Sequence, residues 1–235
     1  MILYDIEDPS PPQPEIMELS EIKACLANTN PKDRLKAIQE LHQYEPEVAI
    51  PLLLSQMQEK DFLVRSFVAM GLGKQRTAES LAALLQMVKF DRDANVRAEA
   101  SNSLSLFGQP VASHLVAAFY QDDNWLVRRS IIGALVELDC PEHLLEICVC
   151  GIDGEDLTVQ EACIDSLAFL ASSSQREKAL PQLLSKVKDS SWRIRARVAR
   201  ALHRFSSPQA ETALEALKQD EDHRVVAAVL ENFVS

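Results

Sequence analysis

The sequence predicts an all-α protein, a right-handed α-solenoid of about seven consecutive helix pairs. Its 235 residues include only 6 glycines, whereas β-sandwiches and glycine-rich nucleotide-binding folds need many backbone positions with positive φ. Hydrophobic residues make up 47% of the chain and recur with helical spacing. A motif with a period of about 31 residues runs along the chain, and this regularity disfavours the alternative of an ordinary helical bundle.

The motif marks the second helix of each pair, helix B. In a clear copy, Asp61 is followed by Val64 and Arg65, then by small residues and Leu72. A side chain such as that of Asp61 accepts hydrogen bonds from the free amides of a first helical turn, so it is expected to begin helix B. The apolar stretch before it is helix A. The aliphatic slot, held by Val64 in this copy, falls at residues 33, 64, 96, 127, 159, 194 and 225, and Asp33 makes the first copy the weakest.

The copies divide the chain into a repeat domain over residues 18–235 and an acidic, Pro-rich tail over residues 1–17. Gln160 and Val226 replace the arginine of the motif, so we expect a row of Asp–Arg hydrogen bonds between neighbouring repeats to be interrupted at repeats 5 and 7. The aliphatic slots of repeats 5 and 6 are 35 residues apart, which predicts an irregularity around residues 172–178.

Composition excludes several classes of function. The 24 basic and 35 acidic residues give a net charge of −11, which disfavours general electrostatic binding of nucleic acid. No apolar run is long enough to cross a bilayer, and the tail lacks the order of a signal peptide, so we expect a cytoplasmic protein with no membrane partner. The odd number of cysteines, 5, favours reduced thiols. We expect a monomer.

Helix pairs with this motif resemble HEAT repeats, specifically the short HEAT-like repeats of the cyanobacterial phycobilisome lyase family. The resemblance covers about residues 18–235 and implies an armadillo-like superhelix. It also implies a choice of functions, since that family includes adaptors that bind iron–sulfur carrier proteins, bilin lyase subunits acting on phycobiliproteins, and a phycobilisome-degradation factor. No lyase-specific residues can be matched here, so the adaptor is the preferred function and the lyase or degradation factor is the alternative.

Helix geometry indicates where a partner protein would bind. At about 100° per residue, positions 1, 4, 5 and 8 after the aliphatic slot form one stripe, which we predict to be buried. The opposite side of the helix, away from the buried stripe, carries the two positions before the slot and positions 2, 3 and 6 after it. In a stacked solenoid these positions line the concave surface. The predicted partner-binding residues are Phe62, Leu63, Phe67, Met70, Asn95, Glu99, Trp125, Leu126, Arg129, Trp192, Arg193, Arg197, Arg200, His223 and Arg224.

Two features of this surface have competing interpretations. Three repeats carry an aromatic residue at the same position, two residues before the aliphatic slot: Phe62, Trp125 and Trp192. These residues either form an exposed aromatic row for a partner or seal the turn between helices A and B. Arg193, Arg197, Arg200 and Arg204 form a basic stripe. This stripe binds an acidic segment of an external partner or a carboxylated ligand, is simply solvated, or binds the acidic tail.

Catalytic and metal-binding motifs are not evident. Cys148 and Cys150 are two residues apart, and the rotation between them on a helix prevents both sulfurs from facing one ion. Buried, inert thiols are therefore expected there and at Cys163. The five histidines are scattered without metal-ligand spacing, and no nucleophile elbow or phosphate loop is present. A non-catalytic protein without cofactor or metal is favoured.

Overall fold

The computed structural model describes residues 17–231, and within that range the chain forms fourteen α-helices in seven consecutive pairs. The predicted all-α solenoid of seven repeats is confirmed. Odd-numbered helices are A helices and even-numbered helices are B helices. They are α1 (Leu19–Leu26), α2 (Pro31–Glu40), α3 (Pro46–Ser55), α4 (Phe62–Gln75), α5 (Ala78–Phe90), α6 (Ala94–Ser105), α7 (Ala112–Gln121), α8 (Trp125–Glu137), α9 (Pro141–Gly151), α10 (Leu157–Phe169), α11 (Arg176–Ser185), α12 (Trp192–Leu202), α13 (Pro208–Leu217) and α14 (His223–Leu230).

Every B helix begins directly after its predicted capping residue. In α4, for example, the Asp61 carboxylate accepts a hydrogen bond of 2.9 Å from the amide of Leu63. Six of the seven capping side chains make such a bond. Ser191 is the exception, because its backbone is extended but its hydroxyl makes no capping bond.

The stripe predicted to be buried forms the core. Val64, Val68 and Leu72 of α4 are fully buried, and the equivalent residues of the other central B helices are buried too. The B helices pack side by side far more closely than the A helices do. A stack of layers curves toward the side on which its elements lie closer together, so the B helices line the concave surface.

A ladder of polar contacts joins successive repeats beside this core. Arg65 of α4 donates to both carboxylate oxygens of Asp91, at 2.8 and 2.9 Å, and also to the backbone oxygen of Glu59. Asp91 lies two residues before the cap of the next B helix, whose amide donates to it. The ladder therefore has two columns of residues that run through the repeats. The donor column is the predicted arginine position, and the acceptor column is the position two residues before the cap. The acceptor column consists of Glu59, Asp91, Asp122, Gly154, Asp189 and Asp220.

The ladder is interrupted in the middle of the solenoid. Gln160 donates to the backbone oxygen of Gly154 and makes no hydrogen bond to a described residue of the next repeat, as expected for repeat 5. A second interruption was not predicted: Arg128 makes no ion pair with any described residue, because Gly154 stands in its acceptor position. Val226 replaces the arginine of repeat 7, the last repeat described.

The long step between repeats 5 and 6 is accommodated in the turn before α11. A 3₁₀ helix, Leu170–Ser172, follows α10, and α11 begins at Arg176. Gln175 and Ser174 both donate to the carboxylate of Glu142, which ties this turn to the preceding A helix. Residues 1–16 of the predicted tail and Phe233 of the seventh repeat lie outside the described residues.

Candidate protein-binding surface

The concave surface of repeats 2 to 4 carries exposed apolar side chains on α4 and α8, the helices on either side of α6. Phe62, Leu63, Met70 and Trp125 expose 37%, 45%, 41% and 44% of their surface. Exposed large apolar side chains on one surface are typical of interaction sites. Phe67 and Leu126 lie in the same region, half-buried against the core. We call these six residues the apolar cluster.

The other half of the concave surface, formed by repeats 5 to 7, is charged and pairs with itself. The guanidinium of Arg197 contacts Glu161 at 3.0 Å and Asp165 at 2.5 Å, both on the preceding B helix. Arg200 donates to both carboxylate oxygens of Glu231, at 2.7 and 2.8 Å. The pKa of Glu231 is lowered by this hydrogen bonding.

These contacts add a possibility that the three interpretations of the basic stripe did not include, which is pairing with acids of the repeat domain itself. Arg197 and Arg200 are paired with acids of neighbouring repeats. Arg204 lies over the ring of Phe169, at 5.5 Å, and Arg193 lies over the ring of the adjacent Trp192, also at 5.5 Å. The sequence between residues 190 and 210 contains no acid, so local inspection could not find these partners. The charged half is therefore held in a defined arrangement by the fold itself.

Trp192 differs from the two other aromatic residues of its slot. It is half-buried against the core, and the guanidinium of Arg224 lies 3.4 Å from its ring centroid, with Arg193 at 5.5 Å. Arg224 is itself fixed by two hydrogen bonds to Asp222. Trp192 is thus covered by arginines of its own and the next repeat, whereas Phe62 and Trp125 stay open to solvent. His223, the residue before Arg224, is exposed.

The centre of the concave surface is polar. Asn95 and Asn102 of α6 are exposed there, and Gly133 of α8 has open space where a Cβ would lie. Glu99 is half-buried, with one hydrogen bond, of 3.4 Å, from the hydroxyl of Ser103. Burial raises the pKa of Glu99 above its usual value, because no described cation compensates for the lost hydration.

Arg129, on α8, is exposed and makes no ion pair with any described residue. The predicted partner-binding residues therefore fall into three groups: the apolar cluster, the polar centre that contains Asn95, Glu99 and Arg129, and the charged half of repeats 5 to 7.

The thiols have mixed environments. Cys148 and Cys163 are buried as expected, and burial raises the pKa of Cys148 well above the usual thiol value. Cys150 is exposed, which corrects the expectation of a buried side chain: it lies on the outer face of α9, opposite Cys148. Within residues 17–231, no group of three or more His, Cys, Asp or Glu side chains could hold a metal ion.

Sequence reasoning missed other exposed and paired residues. Phe90, Tyr120 and Val149 expose apolar surface near the ends of A helices, away from the concave side. The acids of the acceptor column were also missed, although a recurring signal marks them: an acid two residues before the cap, as in Asp91, Asp122 and Asp220.

Comparison with known proteins now identifies the repeat. A family model described as HEAT repeats matches residues 19–105, 64–136 and 141–233, which together span most of the chain. The chain belongs to the HEAT-repeat family. No curated protein matches its sequence.

Solved structures show where this HEAT-repeat fold recurs. Escherichia coli YibA has 15% sequence identity and a TM-score of 0.64, over 93% of this chain and 86% of that one. Kap95p, in its complex with RanGDP, has 15% identity and a TM-score of 0.64, over 91% of this chain and 35% of Kap95p. The complex of CpcE and CpcF of phycocyanin lyase from Nostoc sp. has 16% identity and a TM-score of 0.51, over 96% of this chain and 91% of the other. At these identities the likeness concerns the fold alone.

None of the helices between residues 17 and 231 is both long and apolar enough to span a bilayer.

Proposed function

We propose that this HEAT-repeat protein is a non-catalytic scaffold or adaptor that binds another protein on its concave surface. The observation that carries the proposal is the apolar cluster of repeats 2 to 4. Phe62, Leu63, Met70 and Trp125 are exposed there on the concave side, whereas the core-facing apolar side chains of the same helices are buried. Partly exposed aromatic and aliphatic side chains of this kind are the usual anchors of protein interfaces.

The charged half contributes less binding energy in this proposal. Arg197 and Arg200 already satisfy the carboxylates of neighbouring repeats, so a partner would have to displace those ion pairs. Their role is to form a rigid polar rim beside the apolar cluster. We propose that Arg193, His223 and Arg224 belong to the same rim.

Comparative capture tests the proposal. Three chains are compared: the wild type, the double variant Phe62→Ala/Trp125→Ala and the control Phe90→Ala. Each is immobilised and exposed to an extract of the source organism, and the bound proteins are quantified by mass spectrometry. Phe90 is the matched control, because it is a phenylalanine, 71% exposed, outside the concave surface. A specific partner should be retained by Phe90→Ala and lost by the double variant. Equal recovery by all three chains would exclude the concave surface.

A second candidate is a bilin lyase subunit or a phycobilisome-degradation factor that acts on phycobiliproteins. Two observations favour it: the motif resembles that of the phycobilisome lyase family, and the fold is similar to that of the CpcE–CpcF complex. Absorption spectra of the protein mixed with phycocyanobilin separate the candidates. A shifted, intensified visible band supports the lyase, and an unchanged spectrum supports the scaffold.

Three finer features complete the proposal. The protein works in the cytoplasm, binds neither nucleic acid nor membrane, and is a monomer until its partner binds. Within the adaptor group, an iron–sulfur carrier protein is the partner that the family resemblance suggests, and direct titration with such a carrier tests it.

A further inference from the structure

The ion pairs of repeats 5 to 7 define how neighbouring B helices are aligned on the concave surface. Arg197, three positions after the aliphatic slot, contacts Glu161 and Asp165, which lie two and six positions after the slot of the preceding repeat. A residue at the third position therefore lies between the second and sixth positions of the repeat before it.

The same alignment explains why no cation of residues 17–231 pairs with Glu99. Glu99 is the third-position residue of repeat 3, so the residues beside it in repeat 2 are Ser66 and Met70, both uncharged. By the same rule, Arg129 lies next to Ala162 of repeat 5. Glu99 and Arg129 are the only charges among the fifteen concave positions of repeats 2 to 4.

Of these two charges, Glu99 has more to gain from a partner. Arg129 is exposed and well hydrated, and ion pairs between exposed groups contribute little. Glu99 is half-buried at the edge of the apolar cluster, where its ionised form has lost part of its hydration and no cation among the described residues compensates for that loss. A cation brought by a partner would restore that compensation.

The dimensions of the apolar cluster suit one α-helix. Phe62 and Met70 are eight residues apart on α4, so they are separated by about 12 Å along that helix. Phe62 and Trp125 occupy the same slot two repeats apart, which is about 16–20 Å at the usual spacing of packed helices. An α-helix with its side chains is about 10–12 Å wide, and three to four of its turns span the longer dimension.

We propose that the concave surface of repeats 2 to 4 binds an amphipathic α-helix of a partner protein, with a Lys or Arg beside the helix's apolar stripe that pairs with Glu99. This inference rests on the proposed function and adds the chemistry of the partner. Residues 1–16 of the chain itself fit poorly as the occupant, because they contain no basic residue.

Fluorescence anisotropy with two labelled helical peptides tests the proposal. Both peptides carry the same Leu and Trp stripe over four turns, and they differ only in having two Lys or two Glu residues beside it. The full-length wild-type chain should bind the Lys peptide about tenfold or more tightly than the Glu peptide. Glu99→Gln should remove most of this preference. The matched control Glu161→Gln removes an acid from the same surface that is already paired with Arg197, and it should keep the preference.

Other outcomes have distinct meanings. An unchanged preference in Glu99→Gln, an equal loss in Glu161→Gln, or no binding of either peptide overturns the role of Glu99. Displacement of the Lys peptide by a free peptide of residues 1–16 would make the chain's own segment the occupant and would also overturn it. If Trp125→Ala binds both peptides as the wild type does, the concave scaffold function fails as well. If the wild type binds both peptides equally well and Trp125→Ala abolishes this binding, the concave surface is the binding site and only the proposed partner chemistry is wrong.

Discussion

The ladder contact between Arg65 and Asp91 allows a quantitative test of how the repeats are held together. The side chains of Arg65 and Asp91 are only 3% and 8% exposed, and two hydrogen bonds of 2.8 and 2.9 Å join them. Arg65→Gln removes both bonds. Glutamine can still reach the local backbone oxygen, as Gln160 does in repeat 5. The substitution therefore removes the contact between repeats and leaves the contact within the repeat.

The expected loss follows from what remains around Asp91. Of its described hydrogen-bond donors, its carboxylate keeps only the amide of Asp93, so it becomes a buried and poorly compensated charge. Breaking one partner of a buried ion pair typically costs about 3–5 kcal/mol of unfolding free energy. The double variant Arg65→Gln/Asp91→Asn should recover about 2 kcal/mol or more, because the neutral amide is cheaper to bury and still accepts from Asp93.

A double-mutant cycle measured by urea unfolding with circular dichroism checks these values. Arg200 and Glu231 provide the control cycle, since they form the same two-pronged contact between repeats but are 51% and 50% exposed. The exposed pair should show a coupling energy of about 1 kcal/mol or less. Equal coupling energies in the two cycles would refute the argument that burial of the ladder stabilises the stack. Coincident unfolding curves from two probes must first establish that the repeats unfold together.

Three further predictions concern packing and titration. Gly151→Ala should lower the free energy of unfolding, measured with urea, by about 1–3 kcal/mol, since a Cβ there would lie 2.5 Å from a sulfur of α10. Gly133→Ala has open space in mid-helix and should raise that free energy by about 0.5–1 kcal/mol. Equal effects of the two substitutions would contradict both predictions. The pKa of Glu99 is raised, so its contribution to stability is present below about pH 4.5 and is lost as the pH rises through the folded-state pKa. Glu99→Gln should therefore unfold at higher urea than the wild type at neutral pH, and at the same urea below about pH 4. The pKa of Asp220 is lowered, chiefly by its hydrogen bond from Arg195, so its contribution is present above about pH 4 and is lost on acidification. Arg195→Gln should flatten this acid dependence of the urea midpoint, and an unchanged slope would count against the assignment.

The fold could be predicted because each repeat has the same local signals. A cap such as Asp61 and the apolar stripe that begins at Val64 act within one helix, and their spacing is visible in the sequence. The same local logic located the interruption of the ladder at Gln160. It missed the interruption at Arg128, because that one arises from the acceptor: Gly154 lies where the other repeats have an acid.

The binding surface was less predictable because its chemistry depends on neighbours about 30 residues away in sequence. The helical angles placed Arg197 on the concave side, but only the stacking of repeats shows that Asp165 neutralises it. The prediction that Cys150 is buried was wrong for a related reason. Apolar composition alone does not say which face of α9 meets its neighbours.

The two columns of the ladder also predict how to repair its interruption between repeats 5 and 6. Asp189 occupies the acceptor column of repeat 6, where the amide of Ser191 donates to its carboxylate at 2.9 Å. Among the described residues, the one cation within 4 Å of this carboxylate is Lys186, at 3.9 Å, since Arg195 donates to the backbone oxygen of Asp189. The acceptor is therefore present and only the donor is missing. Gln160→Arg should supply it and raise the free energy of unfolding by about 1–2 kcal/mol, since hydrogen bonds to charged groups are worth more than neutral ones. The same substitution in an Asp189→Asn chain should give little or no gain by urea unfolding. An equal gain in both backgrounds would mean that arginine acts there through its aliphatic stem, and that the acceptor column does not govern the contacts between repeats.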